Sequence, residues 1–226
     1  FTAAFGTLLI FFCATTTSPA RAQEVADFVG TSPSGLPGIN RVAVASPRPA
    51  FAATIAATGG FGFTEAQKGE AGSHQRGAGI AGIAVHPFRV LSASLQFEGR
   101  LDKHPNDVLG SNTTALGEPR LAVRVAEAIS KSVALGAQLD WRLPGAEFPS
   151  LDPGASSLDG RLLATFVPTN QLAVAVNAGY RVDRTSDLIE NVARIRRGDR
   201  ISLGASQFDA IPIGVGVSKR VKQIEV

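Results

Sequence analysis

Gln171-Leu-Ala-Val-Ala-Val-Asn-Ala-Gly-Tyr-Arg-Val-Asp183 is the stretch that decides the fold class. Leu172, Val174, Val176, Ala178, Tyr180 and Val182 fall on one face of an extended chain. Ala173, Ala175, Asn177, Gly179, Arg181 and Asp183 fall on the other. Side chains on a strand alternate with period two, so this segment separates an apolar environment from a polar one. About ten residues is also the length a tilted strand needs to cross a bilayer. The stretch predicts a transmembrane β-strand.

The pattern recurs outward in both directions. Val133, Leu135, Ala137, Leu139, Trp141 and Leu143 oppose Ser132, Ala134, Gly136, Gln138, Asp140 and Arg142. Leu91, Ala93, Leu95, Phe97 and Leu101 oppose Ser92, Ser94, Gln96, Glu98, Arg100 and Asp102. Phe51, Ala53, Ile55, Ala57, Phe61 and Phe63 oppose Ala52, Thr54, Ala56, Thr58 and Thr64. Fainter strands fall at 77–86, 119–128, 158–167, 199–207 and 211–220, giving about nine in all, each matching the alternating segments of a membrane barrel. Three positions break phase. Ile80 calls for a bulge, Glu127 for an interfacial site, and Leu163 points to the polar side.

Connections alternate in length. His86-Pro87-Phe88-Arg89, the region of Ile129-Ser130-Lys131, Pro168-Thr169-Asn170 and Asp209-Ala210 are tight. The links at 64–76, 103–118, 144–157 and 184–198 are long, polar and rich in turn formers. Short periplasmic turns and longer extracellular loops are the habit of outer-membrane barrels. Under that topology Phe61, Phe63, Phe97, Trp141 and Tyr180 lie near the outer strand ends. Phe51, Phe88, Phe166 and Phe208 lie near the inner ends or short turns. Such bands suit rings seated at both headgroup levels.

Composition narrows the class. The 226 residues carry a net charge of +3 and are 44% hydrophobic, compatible with one all-β domain. No internal run nears the roughly 18 apolar residues of a membrane helix. No basic stripe with interleaved aromatics suggests nucleic acid. Phe5 to Ala14 followed by Ala20-Arg21-Ala22 reads as a secretory h-region and cleavage site. Residues 1–22 are thus expected to be a signal peptide whose basic n-region precedes Phe1. Cys13, the only cysteine, would leave with it. Residues 23–49 read as a periplasmic lead-in or linker, or as a segment partly filling the lumen, with Pro47 and Pro49 ending any strand there. Residues 50–226 form the barrel.

Taken with the leader, the strands, the aromatic bands and the loop lengths, the chain resembles a bacterial outer-membrane β-barrel. Leu116-Gly-Glu-Pro-Arg-Leu-Ala-Val-Arg-Val125 and Val133-Ala-Leu-Gly-Ala-Gln-Leu-Asp-Trp-Arg-Leu143 are similar to barrel regions of OmpA-type, porin-like proteins of myxobacteria and relatives. The resemblance implies an all-β, antiparallel, up-and-down transmembrane barrel in the cell envelope of a Gram-negative bacterium, exported to its outer membrane. It implies outer-membrane lipid, lipopolysaccharide and the barrel-assembly machinery as partners. It also implies peptidoglycan, through a C-terminal domain beyond this sequence. Such barrels end on a strand with a terminal aromatic and have even strand numbers, so ten or more strands and a continuation past Val226 are expected.

The chemistry expected inside is a set of charges on the polar faces: Glu98, Arg100, Asp102, Arg120, Arg124, Asp140, Asp159, Arg142, Arg161, Arg181 and Asp183. They form either a constriction for small polar solutes or a paired network filling a narrow barrel. Other motifs carry less. Gly77-Ala-Gly-Ile-Ala-Gly82 matches a dinucleotide fingerprint but opens a strand where a helix is needed. His74, His86 and His104 lack metal-ligand spacing, so no metal, cofactor or catalytic site is expected. Arg194, Arg196, Arg197 and Arg200 could meet lipopolysaccharide phosphates, or be a merely solvated loop. The reading is an integral barrel acting as a structural anchor or narrow passive pore, without enzymatic activity. The alternative is a soluble periplasmic barrel that binds a small apolar ligand, with its apolar faces turned inward. Val174→Arg is expected to block assembly, and Ala175→Arg to be milder if the lumen has space.

Overall fold

The computed structural model describes residues 10–16, 32, 36, 38–39, 42–64, 74–103, 112–144, 154–169, 172–188, 206 and 208–219. The strands are β1 (Ile10–Thr16), β2 (Gly38–Ile39), β3 (Val42–Ala43), β4 (Ala52–Thr64), β5 (His74–Phe88) and β6 (Leu91–Lys103). They continue with β7 (Asn112–Ala128), β8 (Val133–Arg142), β9 (Ser157–Thr169), β10 (Leu172–Asp183) and β11 (Ile213–Lys219). The fold is all-β and antiparallel. Each of β4 to β11 pairs with its neighbour in sequence, and β1 lies on the free edge of β4. The eight strands β4 to β11 curl into a half-barrel, and β2 and β3 form a separate small ribbon.

Ladder register fixes the two faces. Thr54, Ala56, Ala84, Ser92, Ser94, Gln96, Ala122, Arg124, Gln138, Asp140, Asp159, Thr165, Ala173, Ala175 and Asn177 are buried on the inner face. Ile55, Ile83, Val85, Phe97, Leu121, Val123, Leu135, Leu139, Leu162, Val176 and Val215 are exposed on the outer one. A soluble domain buries its large apolar side chains; here they are turned outward.

Three bulges shape the curl. Two residues of β5, His86 and Pro87, oppose Ser92 alone. Leu116 and Gly117 of β7 oppose Gly99, and Val167 and Pro168 of β9 oppose Ala173. Proline has no N–H for a ladder and is tolerated at bulges, which explains Pro87 and Pro168. The strand ends joined through 89–90, 129–132 and 170–171 lie at one end of the sheet, and the strand ends joined by the longer links lie at the other.

Several expectations are corrected by the register. Ile80 needs no bulge: β5 runs in unbroken register along β4, Ile80 opposite Thr58, so Ile80 belongs to the inner row. The strand at 199–207 lies, apart from Ser206, outside the described residues, and no slot exists for it beside β10, because β11 pairs with β10 directly. The last strand therefore runs toward the short turns, the reverse of the direction expected. Asp209-Ala210 is no tight turn at that end either, because Ala210 pairs with Arg181 at the long-loop rim. Phe208 belongs to that rim too. Glu127 is exposed in the outer row, one residue from the end of β7.

Ile10–Thr16 falls within the span read as a leader. It pairs along β4 from Ile10 opposite Gly59 to Thr16 opposite Ala53. An open edge of unpaired backbone groups is a template for any extended segment. β4 and β11 run antiparallel to each other, so a ring of eight could close through their edges with every pairing antiparallel. A ring that included β1 would need one parallel seam.

Candidate functional site: the interior of the sheet

Charged inner residues concentrate in the half nearer the long loops. Direct cross-strand pairing there sets like against like: Glu98 opposite Glu118, Arg120 opposite Arg142, and Asp140 opposite Asp159. Like charges face to face are destabilising. The side chains resolve this diagonally. Arg100 Nη2 donates to Glu118 Oε1 at 3.1 Å, and Arg142 Nη2 donates to Glu118 Oε2, so one carboxylate clamps β6, β7 and β8. Arg161 and Arg181 both donate to Asp159, Arg181 Nη2 at 2.9 Å, which joins β9 to β10. Arg120 Nε stands 3.5 Å from Asp140 Oδ1. Glu118 and Asp159 are almost wholly buried, so each carboxylate has exchanged water for two guanidinium donors.

Glycine makes one of these clamps possible. A Cβ at Gly179 would stand 2.1 Å from Gly160 O and 2.8 Å from Arg161 Cγ. Only a bare backbone at this position lets β10 lie so close to β9 beside the Arg161 side chain.

The other half differs in kind. Ala126, Ala134, Leu163, Val167, Ala173 and Ala175 form an apolar patch on the inner face, packed with Ala43, Val44 and Ala45. This accounts for Leu163, which pointed to the polar side because another segment lies over it. Residues 42–48 cross the interior here. Arg124 Nη1 on β7 donates to Val44 O at 3.0 Å, and Asn177 Nδ2 on β10 donates to Ala43 O at 3.2 Å. Gly214, directly opposite Asn177, leaves room for that amide: a Cβ there would meet Asn177 Oδ1 at 2.7 Å. Arg124 Nε also donates to Gln138 Oε1 at 2.8 Å, and Gln138 Nε2 donates to Asp140 Oδ2 at 2.6 Å. That chain of bonds links the crossing segment to the charged half.

Of the charges expected inside, Arg100, Arg120, Arg124, Asp140, Asp159, Arg142, Arg161 and Arg181 come together in this network. Glu98 is half-buried opposite Glu118. Asp183 instead closes the 3-10 turn Thr185–Leu188, accepting from Thr185 N at 3.0 Å and from its hydroxyl. The side chain of Asp102 lies outside the described residues. Glu118 was missed, although it is in phase with Arg120 and Arg124; Pro119 made the strand seem to begin after it. Among the aromatics, Phe61, Phe88, Phe97, Trp141, Phe166 and Tyr180 are exposed, while the side chain of Phe63 is not described. Tyr180 Oη donates to Asp209 Oδ2 at 2.6 Å, tying β10 to the chain entering β11. That hydroxyl, with the Asp183 N–H, holds the Asp209 carboxyl below its usual range.

The bulge at His86-Pro87 brings His86 Nδ1 to 2.7 Å from Ser92 Oγ. A serine nucleophile needs a base oriented by a third group. Here Nε2 of His86 meets no partner among the described residues, and both side chains are buried. The pair fastens the turn between β5 and β6. No group of three or more His, Cys, Asp or Glu side chains converges among the described residues.

Comparison with protein-family models, with curated proteins and with solved structures finds no match for this chain. The residues and their geometry are therefore the whole basis for assigning a function.

Proposed function

We infer that this chain is an integral outer-membrane β-barrel whose interior is closed at rest, serving as a membrane anchor or as a narrow passive pore for small solutes. The observation that carries this is the inversion of the sheet. Leu139, Val123 and Val176 point away from the interior at mid-strand, while Gln138, Arg124 and Asn177 beside them are buried. An outward apolar band around a polar interior is the economy of a barrel in lipid, where every backbone group is satisfied between strands. A soluble carrier of an apolar ligand would need the opposite faces. The even number of strands from β4 to β11 suits antiparallel closure once the leader has left the edge of β4. At about this strand number a barrel interior is filled by its own side chains, in line with the Glu118 and Asp159 clamps.

The test is fractionation of the full-length protein, followed by electrophoresis of cold and boiled samples in detergent. Outer-membrane location with a fast-migrating cold band is the expected result. Release with the soluble periplasmic fraction would overturn the reading.

A further inference from the structure

One half of the interior is lined by the sheet's own charged side chains and the other is filled by a strap. Val44, Ala45 and Ser46 are almost wholly buried. The sheet beneath them offers mostly small side chains, Ala126, Ala134, Ala173 and Ala175, beside Leu163 and Val167. Val44 and its neighbours, and not the wall, occupy this space. Among the described residues the strap joins no ladder of the large sheet, and β3 pairs with β2. Among the described residues, its backbone bonds to the ring are at its root, Arg48 N to Arg89 O at 3.2 Å and Phe51 N to His86 O at 2.7 Å. Beyond the root, two of its carbonyls accept from Arg124 and Asn177 on separate strands, its apolar side chains pack on the sheet, and Leu36 ahead of it packs on Ala84 and Ala122. The root is stiff and bent. Pro47 and Pro49 fix the chain, and Phe51 takes a φ of 60° that a bulky residue rarely adopts.

We propose that residues 42–46 are a gate. With the carbonyls of Ala43 and Val44 on Asn177 and Arg124, the short-turn half is shut. When the segment swings out from this fixed root, a passage lined mainly by small residues opens toward the charged half, whose side chains then filter what passes. The proposal rests on the membrane-barrel reading.

The test is planar-bilayer recording of the full chain beside two variants. In one, residues 42–46 are replaced by glycine and serine; the other is Asn177→Ala. The parent should conduct rarely. Asn177→Ala, which loses one buried hydrogen bond, should open about two- to tenfold more often at unchanged unit conductance. The replaced segment should conduct almost continuously. In parallel, Val44→Cys, with Cys13→Ser, should react with an impermeant thiol reagent far more slowly than Ala50→Cys, and Asn177→Ala should narrow that gap. Three results would overturn the gate while leaving the barrel standing. The parent and replaced chains could conduct alike, or the replaced chain could fold, stay heat-modifiable and remain silent. Val44→Cys could also label as fast as Ala50→Cys. A chain that never enters membranes would overturn the barrel reading and the gate with it.

Discussion

The two halves of the interior are built by opposite means. Near the long loops, large charged side chains of the sheet itself meet between neighbouring strands, Arg100 and Arg142 on Glu118, Arg161 and Arg181 on Asp159. Near the short turns the inner face carries mostly alanine, with Leu163 and Val167, and a separate segment supplies the rest of the filling. The charged half is fixed, because each clamp is also a bond between neighbouring strands. The small-residue half can be emptied without breaking a ladder. The same alternating strands therefore yield a rigid collar at one end and a removable stopper at the other.

Breaking the collar should cost most. Glu118→Gln leaves Arg100 and Arg142 without their shared carboxylate, and removing one partner of a buried pair costs roughly 3–5 kcal/mol. Urea unfolding in lipid should show a loss of that size. Val174→Arg turns a cation toward lipid and should cost roughly 2–4 kcal/mol if the residue lies near mid-bilayer, read as a failure of the heat-modifiable band to form. Ala175→Arg, the inward neighbour, is fully buried among Val44 and the alanines, so the mild effect expected from sequence is revised. Overpacking should cost about 1–3 kcal/mol, and replacing residues 42–46 by glycine and serine should relieve it. If the replacement leaves the cost unchanged, the space in that half does not belong to the segment.

Asn177→Ala should lose about 0.5–1.5 kcal/mol, measured as a shift in the same unfolding midpoint. The smallest effect concerns the rim. The Asp209 carboxyl is held below its usual range by Tyr180 and the Asp183 N–H, so its contribution is present above the unfolded aspartate value, near about pH 4, and is lost as the pH falls further. Asp209→Asn should remove that acid-side dependence and leave the variant slightly less stable than the parent at neutral pH, the two converging as the pH falls.

Much of this fold was legible because alternation is a local property. Leu172 to Val182 and their polar counterparts needed only the period of a strand. Alternation does not say which face is the inside; that came from seeing Asn177 buried and Val176 exposed. The crossing segment was not legible for a different reason. Its position depends on Arg124 and Asn177, far along the chain from Val44 and Ala43, and nothing in residues 42–48 themselves encodes that meeting. The direction of β11 was lost because 199–207 also alternates, and one added strand reverses the next. Of the charged residues, the inner row was readable from phase alone, whereas the clamps were not. Their partners are diagonal, and Glu118 stood behind Pro119, which sits within the strand opposite Phe97.

Trp141 offers the most direct measurement of the central claim, that the apolar face looks into lipid. It is the only tryptophan, and it projects from the outer face of β8. In vesicles containing brominated lipids its fluorescence should be blue-shifted and strongly quenched, and largely insensitive to aqueous iodide. Quenching by iodide with no response to brominated lipid would place that face in water and contradict the account.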